Sequence, residues 1–213
     1  MTAEPEEETA DRGRGRPPMT KRRKEIIRLQ IATVALDLFK SQGVAATSVE
    51  QIADGLGIST RTLWRYSPSK EGCVLPLLQH GIAVVVQKLH EWPRDLPLLE
   101  QLLHEEDLAE ATPQSTLDLV RLTRTEPAIR SVWLQSHLDS ESAFAGVIAE
   151  RTGLPETALE TKVQAGMLNV ALRIALEHYA WTTDDANPAE GELGSMTDAT
   201  QVALRTAIKG LAM

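Results

Sequence analysis

The sequence predicts an all-α protein with a short basic N-terminal part and a larger acidic helical body. Three observations support this. Apolar residues recur at helical spacing along most of the 213 residues, and no alternating strand pattern stands out. Aromatic residues make up only 4% of the chain. Prolines fall where the later helical segments would begin, at positions 97, 113, 127 and 155.

Composition indicates a cytoplasmic protein. Cys73 is the only cysteine, which excludes an internal disulfide and a Cys-rich metal site. The purely apolar runs are a few residues long, far below the roughly 20 that a membrane-spanning helix needs. We therefore expect no membrane association.

The net charge of −8 is unevenly distributed. Residues 12–70 hold twelve Lys/Arg against four Asp/Glu, whereas residues 71–213 hold ten against twenty-one. A basic module on an acidic body is typical of a protein that faces nucleic-acid phosphates at one end. A solvated basic face without a partner is the alternative.

The basic part predicts three helices after an arm at residues 1–18. The first runs from Lys21 to Gln42 and ends at Gly43. A capping box, either Thr47–Glu50 or Ser48–Gln51, opens the second helix. The turn at Gly57 follows, and Ser59 caps a third helix that runs to about Tyr66.

The body predicts further helices. They start with a long one from Lys70 towards His90, in which Pro76 either makes a hinge or ends one helix and begins the next. The others lie at about 97–111, 114–125, 127–152, 156–181 and 197–211, with an acidic loop at 182–195.

The unit 47–66 has the form of a helix-turn-helix, in which the second helix enters the DNA major groove. Thr60, Arg61, Thr62 and Arg65 can direct hydrogen-bond donors towards bases and phosphates, and Leu63 supplies an inward anchor. Two helices around a glycine turn also occur in plain helical bundles, so the spacing alone leaves both interpretations open.

The residues themselves resemble the DNA-binding domain of the TetR family of regulators. The resemblance rests on ALDLF (35–39), Gly43, TSVEQIA (47–53), GIS (57–59), TLWRY (62–66) and PSKE (68–71). It implies that Ser48 touches a phosphate and that Thr60 and Arg61 reach base edges. It also places Trp64 near the groove wall and Tyr66 and Lys70 on the DNA backbone.

Two positions depart from the family pattern. Trp64 replaces the usual Tyr, which keeps an N–H donor but loses a hydroxyl. Ser67 replaces the usual Phe, which removes a core anchor between the third and fourth helices.

The resemblance implies a repressor that a small-molecule effector releases from a palindromic operator. Its domains would be a DNA-binding domain at 19–68 and a ligand-binding and dimerisation domain at 69–213. The homodimer would form through helices at about 156–181 and 197–211, with small and apolar residues on their faces: Ala165, Gly166, Val170, Ala171, Ile174, Val202, Leu204, Ala207 and Ile208. Residues 122–129 are similar to a subgroup that binds acyl-CoA-like ligands, which favours an apolar or acyl-CoA-like effector.

The arm contains Arg14 and Arg16 in the tetrapeptide RGRP, which resembles an AT-hook. Two arginines around a glycine can lie along a narrow A·T-rich minor groove. A generic basic tail is the alternative. An architectural A·T-rich DNA-binding protein that uses this arm would leave the acidic body unexplained.

The body offers few chemical candidates. Trp133 and His137 lie one helical turn apart and either line a ligand pocket or pack in the core. Asn169, Arg173 and Glu177 form a polar stripe that predicts a solvated or interface face with an Arg–Glu pair. The alternative is that this stripe holds a polar group of a ligand. The histidines have no metal-binding spacing, and no nucleophile–base set or phosphate-binding loop occurs, so we expect no metal, no cofactor and no enzyme activity.

Overall fold

The computed structural model describes residues 21–93, 112–183 and 195–209, and this part of the chain is helical without strands. The helices α1 to α8 span Lys21–Gln42, Val49–Asp54, Thr60–Trp64, Leu75–Glu91, Gln114–Leu122, Pro127–Thr152, Leu159–Thr182 and Met196–Lys209. A 3₁₀ turn at Glu71–Val74 precedes α4. The all-α prediction is confirmed. The predicted segment at 97–111 and most of the loop at 182–195 lie outside the described residues.

The first hydrophobic core holds α1, α2 and α3 together. Ile31, Ala35 and Phe39 of α1 are buried against Ile52 of α2 and Leu63 of α3. This core continues through the 3₁₀ turn to α5 and α6, where it takes in Leu119, Val120, Ile129 and Trp133. The expected domain boundary at residue 68 is therefore crossed by continuous packing and stays a prediction.

The second core lies in the body, between α4, α6, α7 and α8. Leu89, Phe144, Val147, Leu168 and Leu204 are buried in it. Packing apolar helix faces in this way removes their surface from water. This burial stabilises the fold by about 25 cal/mol per Å² of apolar surface.

Pro76 does not lie inside a continuous helix. It occupies the first turn of α4, where its missing N–H leaves no bond unmade. The hinge interpretation is therefore wrong, and the other alternative, a short helix followed by a new one, describes the chain. The helix expected from Lys70 begins later than predicted. Residues 71–74 form the 3₁₀ turn, and α4 starts at Leu75.

One helical stretch of the described residues, Glu71–Glu91, is long and apolar enough to cross a membrane, with a mean hydropathy of 1.4. Its α4 part packs against α1, α5 and α6 of the same fold, and Leu77, Leu78 and Leu89 are buried there. Length and composition alone are weak evidence for a membrane span.

Candidate DNA interface and effector cavity

The helix-turn-helix is fixed by short-range hydrogen bonds. Of the two capping boxes predicted, the structure contains Ser48–Gln51: the Gln51 N–H donates to Ser48 Oγ over 3.2 Å, and the Ser48 N–H donates to Gln51 Oε1 over 2.8 Å. Gly57 has a φ of +63°, a left-handed conformation that glycine adopts without steric cost. Ser59 Oγ then accepts the Thr62 N–H and begins α3.

The α3 helix has one buried side and one open side. Leu63 is fully buried and fixes the helix on the first core, as the sequence predicted. Arg61, Trp64 and Arg65 are exposed, and the Trp64 side chain is 46% accessible. Thr60 and Tyr66 are half-buried beside them. A short helix that presents two arginines and an indole N–H to solvent is suited to a DNA groove.

Lys70 has an intramolecular role as well as the DNA contact expected from the resemblance. Its ammonium group donates to the carbonyl oxygens of Val44 over 2.6 Å and of Thr47 over 2.9 Å. These two carbonyls lie between α1 and α2, so Lys70 ties the turn before α2 to the segment after α3. Ser48, the other expected phosphate contact, is half-buried, with its hydroxyl at the start of α2.

Ser67 stands where the TetR family usually has Phe, and a polar turn occupies this position in place of an aromatic side chain. Its side chain is buried, and its hydroxyl donates to the Ser69 carbonyl over 2.8 Å. A Cβ added to Gly72 would lie 2.9 Å from Ser69 Oγ and 3.2 Å from Ser67 Oγ. A tight polar turn therefore fills this position, because serines and a glycine can approach closely where a Phe ring could not.

A cationic groove adjoins α3 and was not predicted. Lys21, Lys24 and Arg28, on successive turns of α1, line it together with Arg65, Tyr66 and Glu25, around a volume of about 550 Å³. The basic run at 21–24 is visible in the sequence, and the spacing of the apolar residues after it predicts a helix from Lys21. Its proximity to Arg65 depends on how α1 crosses α3, which no local pattern shows. Arg14 and Arg16 lie outside the described residues.

The body contains a small apolar cavity of about 60 Å³. The described helices α4 to α8 all contribute to its wall, and the expected ligand-binding residues Trp133 and His137 both lie in it. The other lining residues are Leu78, Gly81, Ile82, Val85, Thr112, Pro113, Thr116, Phe144, Leu172, Leu176, Met196 and Thr200.

The polar stripe of α7 faces α6 and is not solvated. The Trp133 indole N–H donates to Glu177 Oε1 over 2.7 Å, and Arg173 donates to the same oxygen over 2.8 Å. The predicted Arg–Glu pair is therefore present, but the Glu177 carboxylate is buried and also anchors a wall residue of the cavity.

His137 completes this buried polar contact between α6 and α7. Its Nδ1 lies 2.7 Å from Asn169 Oδ1, and Asn169 Nδ2 donates to the His137 carbonyl over 2.8 Å. The ring packs edge-on to Trp133, with centroids 4.2 Å apart. Burial lowers the pKa of His137, and the Asn169 hydrogen bond only partly opposes this effect.

An apolar face runs along α7 and α8. Val163, Met167, Val170 and Ile174 of α7 and Val202 and Ile208 of α8 are 42–50% exposed. A groove of about 740 Å³ lies between the two helices on this face. Of the residues expected here, Ala165 and Leu204 are instead buried within the protomer, whereas Ala171 is buried but lines the groove.

Comparison with known proteins gives the same assignment as the helix-turn-helix geometry. Residues 31–77 match the model for bacterial regulatory proteins of the tetR family. A relative, the HTH-type transcriptional regulator TcmR from Streptomyces glaucescens, is 25% identical over 148 residues. That alignment spans 65% of this chain and 66% of the relative, slightly less than two thirds of its length.

Solved structures share the fold over most of the chain. A TetR-family regulator from Mesorhizobium loti is 20% identical, with a TM-score of 0.54 over 90% of this chain and 98% of its own. The Thermus thermophilus repressor FadR, solved with lauroyl-CoA, is 19% identical, with a TM-score of 0.53 over 87% and 95%. At this identity the likeness shows the fold alone.

The capped helix-turn-helix, the exposed basic face of α3 and the matching family model lie in the same stretch of sequence. The helical body that follows has the same fold as regulators of that family. Residues 31–77 therefore form a DNA-binding domain of the tetR-family type, and the chain as a whole is similar to TetR-family transcriptional regulators.

Proposed function

We propose that this regulator is a homodimeric, cytoplasmic repressor that a small apolar effector releases from a palindromic operator. One observation carries the proposal: α3 is anchored by the fully buried Leu63 while Arg61, Trp64 and Arg65 are exposed on its other side. This is the arrangement by which a recognition helix reads base edges in the major groove.

Dimerisation follows from the apolar face of α7 and α8. Contiguous apolar surface of this kind marks an interaction site in a soluble protein. A second copy is the natural occupant, because a two-fold axis lets one self-complementary face serve both subunits. Two recognition helices about 34–36 Å apart would then read two half-sites of one operator.

Phosphate contacts come from two places in this proposal. Ser48 caps α2 and Tyr66 follows α3, and the cationic groove adds Lys21, Lys24 and Arg28 of α1. Each phosphate neutralised by Lys or Arg releases counterions, so operator affinity falls with salt.

The effector would occupy the cavity at Trp133 and His137. At about 60 Å³ the cavity is far smaller than the roughly 300–1,000 Å³ of ordinary ligand pockets, so an effector must displace lining side chains. That displacement is the event that can couple to DNA, because Trp133 also belongs to the first core, which holds α3. The apolar wall is compatible with an acyl chain such as that of the lauroyl-CoA bound by the Thermus thermophilus structure.

The experiment is footprinting and titration of operator and random DNA with wild type, Arg61→Ala and Lys162→Ala. Lys162 is an exposed cation of α7, far from α3 in sequence, and its loss changes the net charge equally. We expect a discrete palindromic footprint and a loss of about 1–3 kcal/mol on operator alone for Arg61→Ala. Equal losses on both DNAs for Arg61→Ala, or diffuse A·T protection, would contradict the proposal.

A further inference from the structure

The His137 side chain carries a buried nitrogen with no hydrogen-bond partner. Among the side chains that the structure describes, His137 Nε2 and Thr161 Oγ1 are the buried polar atoms in this state. Only His137 lines the cavity, and the residue is 7% exposed. Leaving a buried polar group unpaired is destabilising, so the position calls for a partner.

The hydrogen bonds around His137 determine which kind of partner fits. The His137 carbonyl can only accept, so Asn169 must present its amide NH₂ group to it, and Asn169 Oδ1 is left facing Nδ1. Because Oδ1 can only accept, Nδ1 must carry the proton. The remaining nitrogen, Nε2, is then a bare acceptor that requires a donor.

The indole N–H of Trp133, another polar group of the wall, is already paired. The Trp133 indole N–H donates to Glu177, whose oxygen also accepts from Arg173. Trp133 thus offers an effector no free donor, and its ring contributes apolar surface. Leu176, Phe144 and Val85 supply more of the same surface.

We propose that the part of the effector that enters the cavity is uncharged and largely apolar and donates one hydroxyl or N–H hydrogen bond to His137 Nε2. This inference rests on the proposed effector role of the cavity and adds the chemistry of recognition. A carboxylate is disfavoured as the partner of His137, because its oxygens and the bare Nε2 are all acceptors.

The selectivity follows from the cost of the unmade bond. A site built to hydrogen-bond a hydroxyl discriminates against the isostere that lacks it, because the site's polar atom is then left unpaired. A net hydrogen bond in a protein corresponds to roughly a 3- to 10-fold difference in affinity. His137 therefore selects among apolar molecules of similar size.

The test uses phenol, toluene and benzoate on the DNA-free protein. Phenol and toluene have nearly the same shape and differ by a hydroxyl in place of a methyl group, while benzoate adds an anion. An engineered cavity of about 150 Å³ accommodates benzene, so these probes require only a moderate shift of the lining side chains. Binding is measured by calorimetry, and the nitrogen resonances of His137 are followed by NMR.

Two variants isolate the acceptor. His137→Asn keeps an amide N–H in place of Nδ1 to donate to Asn169 but has no atom at the position of Nε2. His137→Gln restores an oxygen acceptor near that position. We expect the ratio of phenol to toluene affinity to fall about 3- to 10-fold in His137→Asn and to recover in part in His137→Gln. In wild type, phenol but not toluene should shift the Nε2 resonance.

Three results would overturn the inference. They are an unchanged phenol-to-toluene ratio in His137→Asn, a wild-type Nε2 resonance that phenol does not move, or tighter binding of benzoate than of phenol. If either of the first two occurs while the probes still bind, the cavity remains an effector site and only the donor chemistry is wrong. If no probe binds the cavity, the effector role itself fails together with the inference.

Discussion

The helix-turn-helix and the cavity of the body are built from contacts of opposite range. Around α2 and α3, the polar contacts that define the helix ends join residues three positions apart, such as Ser48–Gln51 and Ser59–Thr62. Around the cavity, the polar contacts join α6 to α7. Their partners lie 32 residues apart in sequence for His137–Asn169 and 44 apart for Trp133–Glu177. The ends of α2 and α3 are thus locally specified, and the cavity depends on how two long helices pack.

This difference assigns different tasks to the two regions. A unit fixed by its own caps and by Leu63 keeps its shape while the body changes. A cavity whose polar walls come from different helices can change when those helices move. Trp133 belongs to both, because it lies in the first core and in the cavity wall. A second link between the two regions is the ion pair of Lys40 in α1 with Asp118 in α5. Asp118 also pairs with Arg121 over 3.0 Å.

The largest expected effect is on assembly. Ile174→Glu would bury an unpaired carboxylate at a two-fold interface, which costs several kcal/mol, so we expect folded monomers and a loss of operator affinity. Sedimentation and circular dichroism measure this. Ala171→Glu is a poorer test, because Ala171 is buried within the protomer and its replacement would also disturb the fold.

Leu138→Glu is the matched control for this substitution. Leu138 is an apolar side chain of α6, and it is 58% exposed against 48% for Ile174. We expect this variant to remain a dimer. Monomers in Leu138→Glu together with an intact dimer in Ile174→Glu would move the interface to another face.

The next largest effect tests the local core. Leu63→Ala removes a fully buried side chain between α3 and α1, which should lower the free energy of unfolding by about 2–5 kcal/mol in urea titrations. Leu159→Ala, at a side chain that is 73% exposed, should change it by less than about 0.5 kcal/mol. Similar values for the two variants would contradict the anchoring role of Leu63.

The sequence predicted the locally specified region well and the other region less fully. The helix Lys21–Gln42, the glycine turn at Gly57, the Ser59 cap and the buried Leu63 all follow from spacing and cap residues. The burial of the Asn169–Arg173–Glu177 stripe does not, because an i, i+4 polar pattern is the same whether the facing surface is water or another helix. The sequence did not predict the cationic groove either, because the helical pattern of α1 does not show that this helix passes beside Arg65.

Lys70 tests whether an expected DNA contact also supports the fold. Lys70→Ala removes two charged hydrogen bonds to the carbonyls of Val44 and Thr47 at a partly exposed site. We expect the free energy of unfolding to fall by about 1–2 kcal/mol and operator and random DNA affinity to fall alike. Weaker DNA binding with no change in unfolding would assign Lys70 to phosphate contact alone.

The capping box should give a smaller and strictly local effect. Ser48→Ala removes the acceptor for the Gln51 N–H and should cost about 1 kcal/mol, whereas Ser48→Gly should cost only a few tenths. Urea unfolding measures both variants. If Ser48→Ala leaves stability unchanged but weakens operator binding, the hydroxyl serves DNA and the cap is dispensable.

The most gradual effect should come from the long-range region, through the titration of His137. Burial is the main cause that lowers the pKa of this imidazole, and the positive charge of Arg173 adds to it against the Asn169 hydrogen bond and Glu177. The unfolded chain therefore binds the proton of His137 at a higher pH than the folded chain does. As the pH falls below about 6.5, the unfolded state gains protons first, so the free energy of unfolding decreases, at most by about 1.4 kcal/mol per pH unit.

His137→Asn cannot titrate there, and its stability profile below pH 6.5 should be flatter than that of wild type. Urea titrations at several pH values compare the two. Parallel profiles would mean that His137 is protonated equally in both states, which would contradict a buried, neutral imidazole in the cavity wall.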